Sequence, residues 1–318
     1  MSKIAFIFPG QGSQYVGMGK NLYERYETVK NTYNEATEVL GFDIANMSFN
    51  SEDEINQTKY TQPLMVTMSV AIMRLLQENG IYADMTAGLS LGEYAALVCS
   101  KCIDFKTAVD LVYKRGTFMQ NCIPDGEWRM AAIIGLEDSV VENVCKELDG
   151  FVKCANYNCP GQLVIAGEKS AIENACEKLT EAGARRTIML NVAAPFHTDK
   201  LVEAKEKLAK ELEKVEFGKF EMPLIKNLDA KAYHETDNMV EILSNHIVSS
   251  VQWRKSVEYM IENGVDTFIE IGPGKTLSGF VKKVNKDVKV MNIESVETFE
   301  KVLEVMRKNE ISKTFGNL

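Results

Sequence analysis

The sequence predicts an α/β protein: a large α/β-hydrolase-like domain built on a parallel sheet, with a small ferredoxin-like βαββαβ subdomain inserted into it. Three observations carry that expectation. Gly88-Leu89-Ser90-Leu91-Gly92 stands between an apolar run that reads as a strand and one that reads as a helix, the setting of a nucleophile elbow. Between about residues 127 and 192 the periodicity runs strand, helix, strand, strand, helix, strand, the order of a split βαβ unit. Apolar runs at 3–8 and 267–271, ended by Pro9-Gly10 and Gly272-Pro273, add strands to the larger sheet. The large domain is therefore expected at 1–126 and 193–318, and the small subdomain at 127–192.

In chain order, Lys3–Phe8 is the first strand, and Lys20–Leu40 is polar with apolar residues at helical spacing. Leu64–Leu76 is a Met-rich helix, whose stripe of Met65, Met68, Met73, Leu75 and Leu76 reads as core. Ile81–Leu89 is the strand that delivers Ser90, and Glu93–Cys99 the helix after it. Asp104 caps a further helix, Phe105–Asn121, which carries Arg115. The small unit follows as strand 129–135, helix 138–148, strand 151–156, a turn at Asn158-Cys159-Pro160-Gly161, strand 162–166, helix 170–182 and strand 185–190. The large domain resumes near Ala193 and closes with the strand Thr267–Ile271 and the glycine turn after it.

Composition narrows the function classes. The chain has 318 residues, 45% hydrophobic and 25% charged, which is ordinary for a globular protein and long enough for a sizeable core. Its 36 Lys and Arg against 45 Asp and Glu give a net charge of −9, so nucleic acid is not the expected partner. The first apolar run is too short for a signal peptide and no later one has the length of a membrane span, so a cytoplasmic protein with no membrane partner is expected. Seven cysteines, an odd number in mostly apolar surroundings, read as free buried thiols. Cys99 and Cys102 form a single CxxC without a second, and with only three histidines no metal site is expected.

Two glycine-rich loops imitate nucleotide sites. Gly10-Gln11-Gly12 follows a strand, but Tyr15 occupies the third glycine position of the dinucleotide fingerprint and Pro9 interrupts the turn. Gly272-Pro273-Gly274-Lys275-Thr276 ends like a phosphate loop, yet Ile269 stands where its first glycine belongs.

The chemistry centres on Ser90. In an elbow the serine occupies a strained turn with the flanking glycines allowing close backbone approach, and its hydroxyl faces a helix N-terminus able to stabilise an oxyanion. The alternative is a GxSxG that arises by chance in a turn. A serine nucleophile needs a base. His197, in Pro195-Phe196-His197-Thr198 between a strand and a charged helix, is the candidate, whereas His234 and His246 read as surface or packed histidines. No acidic third member stands out, although Asp199 and Asp229 are close in sequence.

Several segments together resemble the malonyl-CoA:acyl carrier protein transacylases, within the acyltransferase family of fatty-acid and polyketide synthesis. They are Phe8-Pro9-Gly10-Gln11-Gly12-Ser13-Gln14, Gly88-Leu89-Ser90-Leu91-Gly92-Glu93-Tyr94, Lys114-Arg115-Gly116, Asn156-Tyr157-Asn158-Cys159-Pro160-Gly161-Gln162, Pro195-Phe196-His197, Val251-Gln252-Trp253 and Glu270-Ile271-Gly272-Pro273-Gly274, in order along nearly the whole chain. The resemblance implies that Ser90 attacks a malonyl thioester while His197 takes its proton and later returns it to the leaving coenzyme A thiol. It implies an oxyanion hole from Gln11 and the backbone N–H of Leu91, and a His197 oriented by a backbone carbonyl in the segment around Gln252 rather than by an acid. Arg115 would bind the free malonyl carboxylate, its other reading being a solvated helix charge. Phe196 and Leu91 would leave little room for an α-methyl branch, unless Phe196 merely fills the core.

The implied partners are malonyl-CoA, a substrate, and a holo acyl carrier protein, with no cofactor. Lys275, Lys282, Lys283 and Lys286 are candidates for a basic surface facing an acidic carrier, or a solvated helix face. A free-standing monomer is expected, and Leu89 stands where the resembling proteins usually have histidine. Two other readings remain: a serine hydrolase or thioesterase with water as acceptor, and a non-catalytic acyl-carrier scaffold.

Overall fold

Five parallel strands carry the functional end of the molecule. The computed structural model describes residues 2–124, 126–192 and 194–315. Among them β1 (Lys3–Phe8), β2 (Met85–Gly88), β7 (Leu224–Ile225), β8 (Val265–Ile271) and β9 (Lys289–Ile293) form a sheet in the order β7-β2-β1-β8-β9, with every neighbouring pair parallel. Such a sheet is covered by helices on both faces, which is why β2 is buried at all four positions and reads as a short apolar run without alternation. The register pairs Phe8 with Gly88, so β1 and β2 finish side by side. The Gly10-Gln11 loop and the Ser90 turn therefore leave the sheet at the same edge, the carboxyl ends of the strands where open α/β sheets bind ligands.

The strands β3 (Trp128–Ile134), β4 (Val152–Cys159), β5 (Gln162–Glu168) and β6 (Arg186–Met189) form a second sheet, antiparallel and ordered β4-β5-β3-β6. With the helices Asp138–Glu147 and Lys169–Glu181 this is the ferredoxin-like arrangement. It encloses its own small core around Ile133, Val141, Ile165, Ile172 and Leu179. Backbone hydrogen bonds from Val251 N–H to Ala155 and from Tyr157 N–H to Val251, both 2.9 Å, fasten β4 to the larger body.

Several elements differ from expectation for identifiable reasons. The stretch Lys20–Leu40 forms two helices, Lys20–Arg25 and Glu27–Leu40, separated by Tyr26 in an extended conformation with its ring against Phe299. The Met-rich helix runs Thr58–Glu78 and contains Pro63. Its first turns carry buried Thr58, Thr61 and Gln62, so apolar periodicity alone starts it too late. The strand before the elbow is only Met85–Gly88, because Asp84 is drawn into hydrogen bonds with Ile4 at the amino ends of β2 and β1. β4 extends through Cys159 and leaves only Pro160-Gly161 as the turn to β5. β8 does not close the sheet: β9 lies beyond it, its mostly half-buried KVMNI sequence showing little strand pattern. Ala193, where the large domain is expected to resume, lies outside the described residues.

Candidate active site

The elbow forms because its glycines have no room for a side chain. A Cβ on Gly88 would sit 1.9 Å from the Gly92 carbonyl carbon, and one on Gly92 would sit 2.2 Å from the Phe8 carbonyl oxygen. The turn can therefore lie against β1 while Ser90 takes φ +53°, a left-handed conformation that costs a non-glycine residue about 1 to 3 kcal/mol. Asn227, fully buried after β7, holds it there: Oδ1 accepts the Ser90 N–H at 2.7 Å and Nδ2 donates to the Gly88 carbonyl at 2.5 Å. The helix Gly92–Cys99 starts immediately after, so Leu91 lies at a helix N-terminus, where backbone N–H groups point outward.

His197 reaches the serine from the loop between β6 and the 3₁₀ turn Asp199–Leu201. It too has a left-handed backbone, φ +60°. Its Nε2 lies 2.8 Å from Ser90 Oγ, and its Nδ1 lies 3.0 Å from the main-chain oxygen of His246. A carbonyl can only accept, so Nδ1 carries the proton and Nε2 is left to receive one from the serine. Burial, reinforced by the charge of Arg115, lowers the His197 pKa to about 4 and keeps the ring neutral.

The carbonyl at Nδ1 belongs to the helix Met239–Val248 rather than to Gln252 itself, with the main chain of Ser249, between the two, also acting on the ring. Gln252 is instead the first-turn cap of the helix Trp253–Glu262, hydrogen bonded through its N–H to the Asn227 carbonyl, and it does not line the cavity. Neither acid considered from the sequence faces His197. Asp199 is paired with Lys153 in solvent and Asp229 with Lys226.

Arg115 arrives from the helix Phe105–Asn121, whose first turn Asp104 caps by accepting from Thr107 N–H. Gly116 lets that helix touch the Thr58–Glu78 helix, since a Cβ there would lie 2.6 Å from the Thr58 carbonyl oxygen. Lys114 turns outward to Asp110 and Glu211, whereas Arg115 turns inward and is 1% exposed. It donates to Gln62 Oε1 at 2.8 Å and to Ser90 Oγ at 3.3 Å, and its Nε has no partner. Among the described residues no carboxylate forms an ion pair with it, although Tyr94 and Glu93 act on it electrostatically.

These groups line one cleft of about 480 Å³ between the two sheets, with Ser90, His197, Arg115, Gln11, Leu91 and Phe196 all in its wall. Gln11 Nε2 donates to Thr58 Oγ1 at 3.2 Å. Leu89 also lines the cleft, placing an apolar side chain beside the nucleophile. Asn158, buried at its rim, has an unpartnered Oδ1.

The imitation nucleotide loop is explained by Glu270: its carboxylate accepts from Leu277 and Ser278 N–H and so occupies the helix N-terminus that a phosphate would need. Lys275, Lys282, Lys283 and Lys286 are exposed around that helix, Thr276–Val284. Lys283 reaches Gln162 at the cleft's rim, and Lys282 donates to the Lys286 and Val288 carbonyls in the loop after the helix. All seven cysteines are free, and among the described residues no cluster of His, Cys, Asp or Glu is placed to hold a metal ion.

His246 reads in the sequence only as a surface or packed histidine, and Asn227, Glu93 and Gln62 were not singled out from it. Only Glu93 left a trace, as the one charged residue in an otherwise apolar helix.

Residues 5–311 match the family model described as acyl transferase domain. The chain is 42% identical over 312 residues, 97% of its length and 98% of the relative's, to a malonyl CoA-acyl carrier protein transacylase of Bacillus subtilis. It superposes with a TM-score of 0.95 on the crystal structure of the Clostridium perfringens protein of that name, at 43% identity and covering 98% and 100% of the two chains. It superposes with a TM-score of 0.92, at 39% identity and 95% and 99% coverage, on a malonyl-transacylase in complex with a type II polyketide synthase acyl-carrier protein. An elbow serine, a neutral histidine on a carbonyl and a buried arginine thus occur in a chain matched along almost its whole length, and the protein belongs to the acyl transferase family.

Proposed function

We propose that the chain transfers a malonyl group from malonyl-CoA to the phosphopantetheine thiol of an acyl carrier protein through an ester on Ser90. The observation that carries this reading is Arg115. A buried guanidinium without a carboxylate partner is costly, and it lies against the nucleophile, where an acyl group ending in a carboxylate would complete it.

In the first half-reaction Ser90 Oγ forms a bond to the thioester carbonyl carbon as His197 Nε2 takes the hydroxyl proton. Gln11 and Leu91 stabilise the oxyanion. The side-chain amide of Gln11 is engaged with Thr58, which favours its backbone N–H for this role. The C–S bond then breaks and His197 returns the proton to the departing thiolate. The second half-reaction repeats these steps in reverse with the carrier's thiol. No electron is transferred, and we propose that no metal or cofactor takes part.

Arg115 also couples binding to basicity. Its charge helps hold the His197 pKa low, so a malonyl carboxylate paired with it would cancel part of that effect and strengthen the base when the correct substrate is present. Phe196 and Leu91 narrow the cleft against α-branched acyl groups.

The carrier is supported by the solved transacylase complex with an acyl-carrier protein, and the exposed lysines beside the rim suit an acidic partner. A monomer in the cytoplasm fits a cleft walled by a single chain and seven free thiols. Trapping the Ser90 ester and offering it either a pantetheine thiol or water tests the reading. Transfer to the thiol should outpace hydrolysis by orders of magnitude, and comparable rates would make the protein a hydrolase.

A further inference from the structure

Below Ser90 and His197 lies a buried polar cluster that the acyl-transfer steps do not use. Glu93 is 1% exposed, on a helix in which every residue is buried. Its Oε1 accepts from Tyr233 OH at 2.7 Å and its Oε2 accepts from Asn227 N–H at 3.4 Å. Oε2 also lies 3.2 Å from Nδ1 of His246, a residue that is itself 1% exposed. A closed circuit results. Asn227 holds the Ser90 turn, Glu93 touches both Asn227 and His246, the His246 carbonyl faces His197, and His197 faces Ser90 Oγ.

We propose that Glu93 is a positioning residue of the acylation step: through His246 it fixes the carbonyl that orients His197, and through Asn227 the turn that presents Ser90. This rests on the reading of Ser90 and His197 as nucleophile and base.

A carboxyl in an apolar interior is expensive, and an apolar side chain would fill the site at lower cost. What a carboxyl adds is an ionisable group 3.2 Å from His246 Nδ1, at a ring neither of whose nitrogens has a hydrogen-bond partner in this structure. Burial raises the Glu93 pKa to about 7 and holds His246 neutral. Below that pH the carboxyl carries a proton that it could turn toward Nδ1, favouring the tautomer with hydrogen on Nε2. Above it the carboxylate 3.2 Å away favours the tautomer with hydrogen on Nδ1.

The pair changes from neutral to a single negative charge. Arg115, Tyr94, Tyr233 and Asp229 also face Glu93, and His197 and Arg115 face His246. The rings of His197 and His246 are 5.2 Å apart, centroid to centroid, so the negative state favours the imidazolium that forms on His197 during acylation. Acylation should therefore accelerate through about pH 7, separately from the titration of His197.

The test combines single-turnover acylation by malonyl-CoA, read by intact mass after rapid quench across this pH range, with ¹⁵N spectra of the imidazoles, which only three histidines make assignable. In the wild type the His246 proton should move from Nε2 to Nδ1 as pH rises through about 7. Glu93→Gln should abolish that movement, flatten the rise in rate, slow acylation about 10-fold above pH 8 and leave half-saturating malonyl-CoA within about 2-fold. His246→Leu should slow acylation similarly, and His246→Gln, whose amide can face the carboxyl, should restore most of the rate.

Wild-type rates in both Glu93→Gln and His246→Leu, or a His246 tautomer that stays fixed in the wild type, would overturn the proposal. If Glu93→Gln does not fold, the two His246 variants decide. A wild type that forms no adduct at all counts instead against the Ser90–His197 reading, and the spectra remain independent of it.

Discussion

Arg115 is held within the cleft by one neutral partner, Gln62, and by the hydroxyl of the nucleophile. Its charge lowers the pKa of the base, and in the proposed reaction it would also pair with the malonyl carboxylate. Arg115→Ala should therefore move the acid limb of the hydrolysis-independent acylation profile upward from about 4 toward the ordinary histidine value near 6.5, because the guanidinium is one of the two causes that lower His197. A limb that stays in place would assign the whole depression to burial.

Ser90 and His197 were legible because each lies in a short local pattern with few competitors, one GxSxG and three histidines. Asn227 was not, since its hydrogen bond to Ser90 N–H joins residues 137 apart in sequence. His246 contributes a main-chain oxygen, which no side-chain pattern reports, and that is why the sequence reading looked to Gln252 instead.

At the scale of elements, the elbow is a contact between backbones. Gly92→Ala would drive a Cβ to 2.2 Å from the Phe8 carbonyl oxygen, so β1 and the elbow helix would have to separate. That variant should lose acylation entirely and lower the melting temperature by several degrees, as overpacking of about 1 to 3 kcal/mol does. Unchanged melting with full activity would show that the turn tolerates a side chain.

Elements with strong local signals were legible to within a residue or two, as for Phe105–Asn121 with its Asp104 cap. Those that tertiary contacts define were not. β7 has two residues and β9 is largely half-buried, yet both complete the sheet. The first turns of the Thr58–Glu78 helix are polar because Thr58 and Thr61 hydrogen bond to Gln11 and the preceding backbone and Gln62 lines the cleft against Arg115, and these polar residues hid the start of the helix.

For the whole molecule, two buried neutral histidines make folding sensitive to acid. Unfolded, His197 and His246 would each take up a proton near pH 6.5, whereas folded they resist, His197 down to about 4. Stability should thus fall as pH drops from about 6.5 toward 4. Glu93 opposes this: its folded pKa of about 7 lies above the ordinary carboxylate value, so across the same window the folded state retains one proton that the unfolded state releases. Two protons against one leave a net loss of roughly 1 to 2 kcal/mol between pH 6.5 and 5. Urea midpoints at the two pH values should show it, and His197→Gln should reduce it. A midpoint that rises on acidification would contradict the neutral, buried state of these rings. At this scale the α/β class followed from the elbow motif with periodicity and the ferredoxin-like unit from periodicity, while the cleft between the two sheets depends on how β4 is bonded to Val251.

The central claim is that Ser90 takes up an acyl group chosen by Arg115. Intact-protein mass after brief exposure to malonyl-CoA or acetyl-CoA tests it most directly, on the wild type, Ser90→Ala and Arg115→Ala. The account predicts a malonyl adduct on the wild type, none on Ser90→Ala, and in Arg115→Ala a loss of the malonyl adduct with acetyl now favoured. An adduct that survives Ser90→Ala, or equal malonyl and acetyl adducts on the wild type, would contradict it.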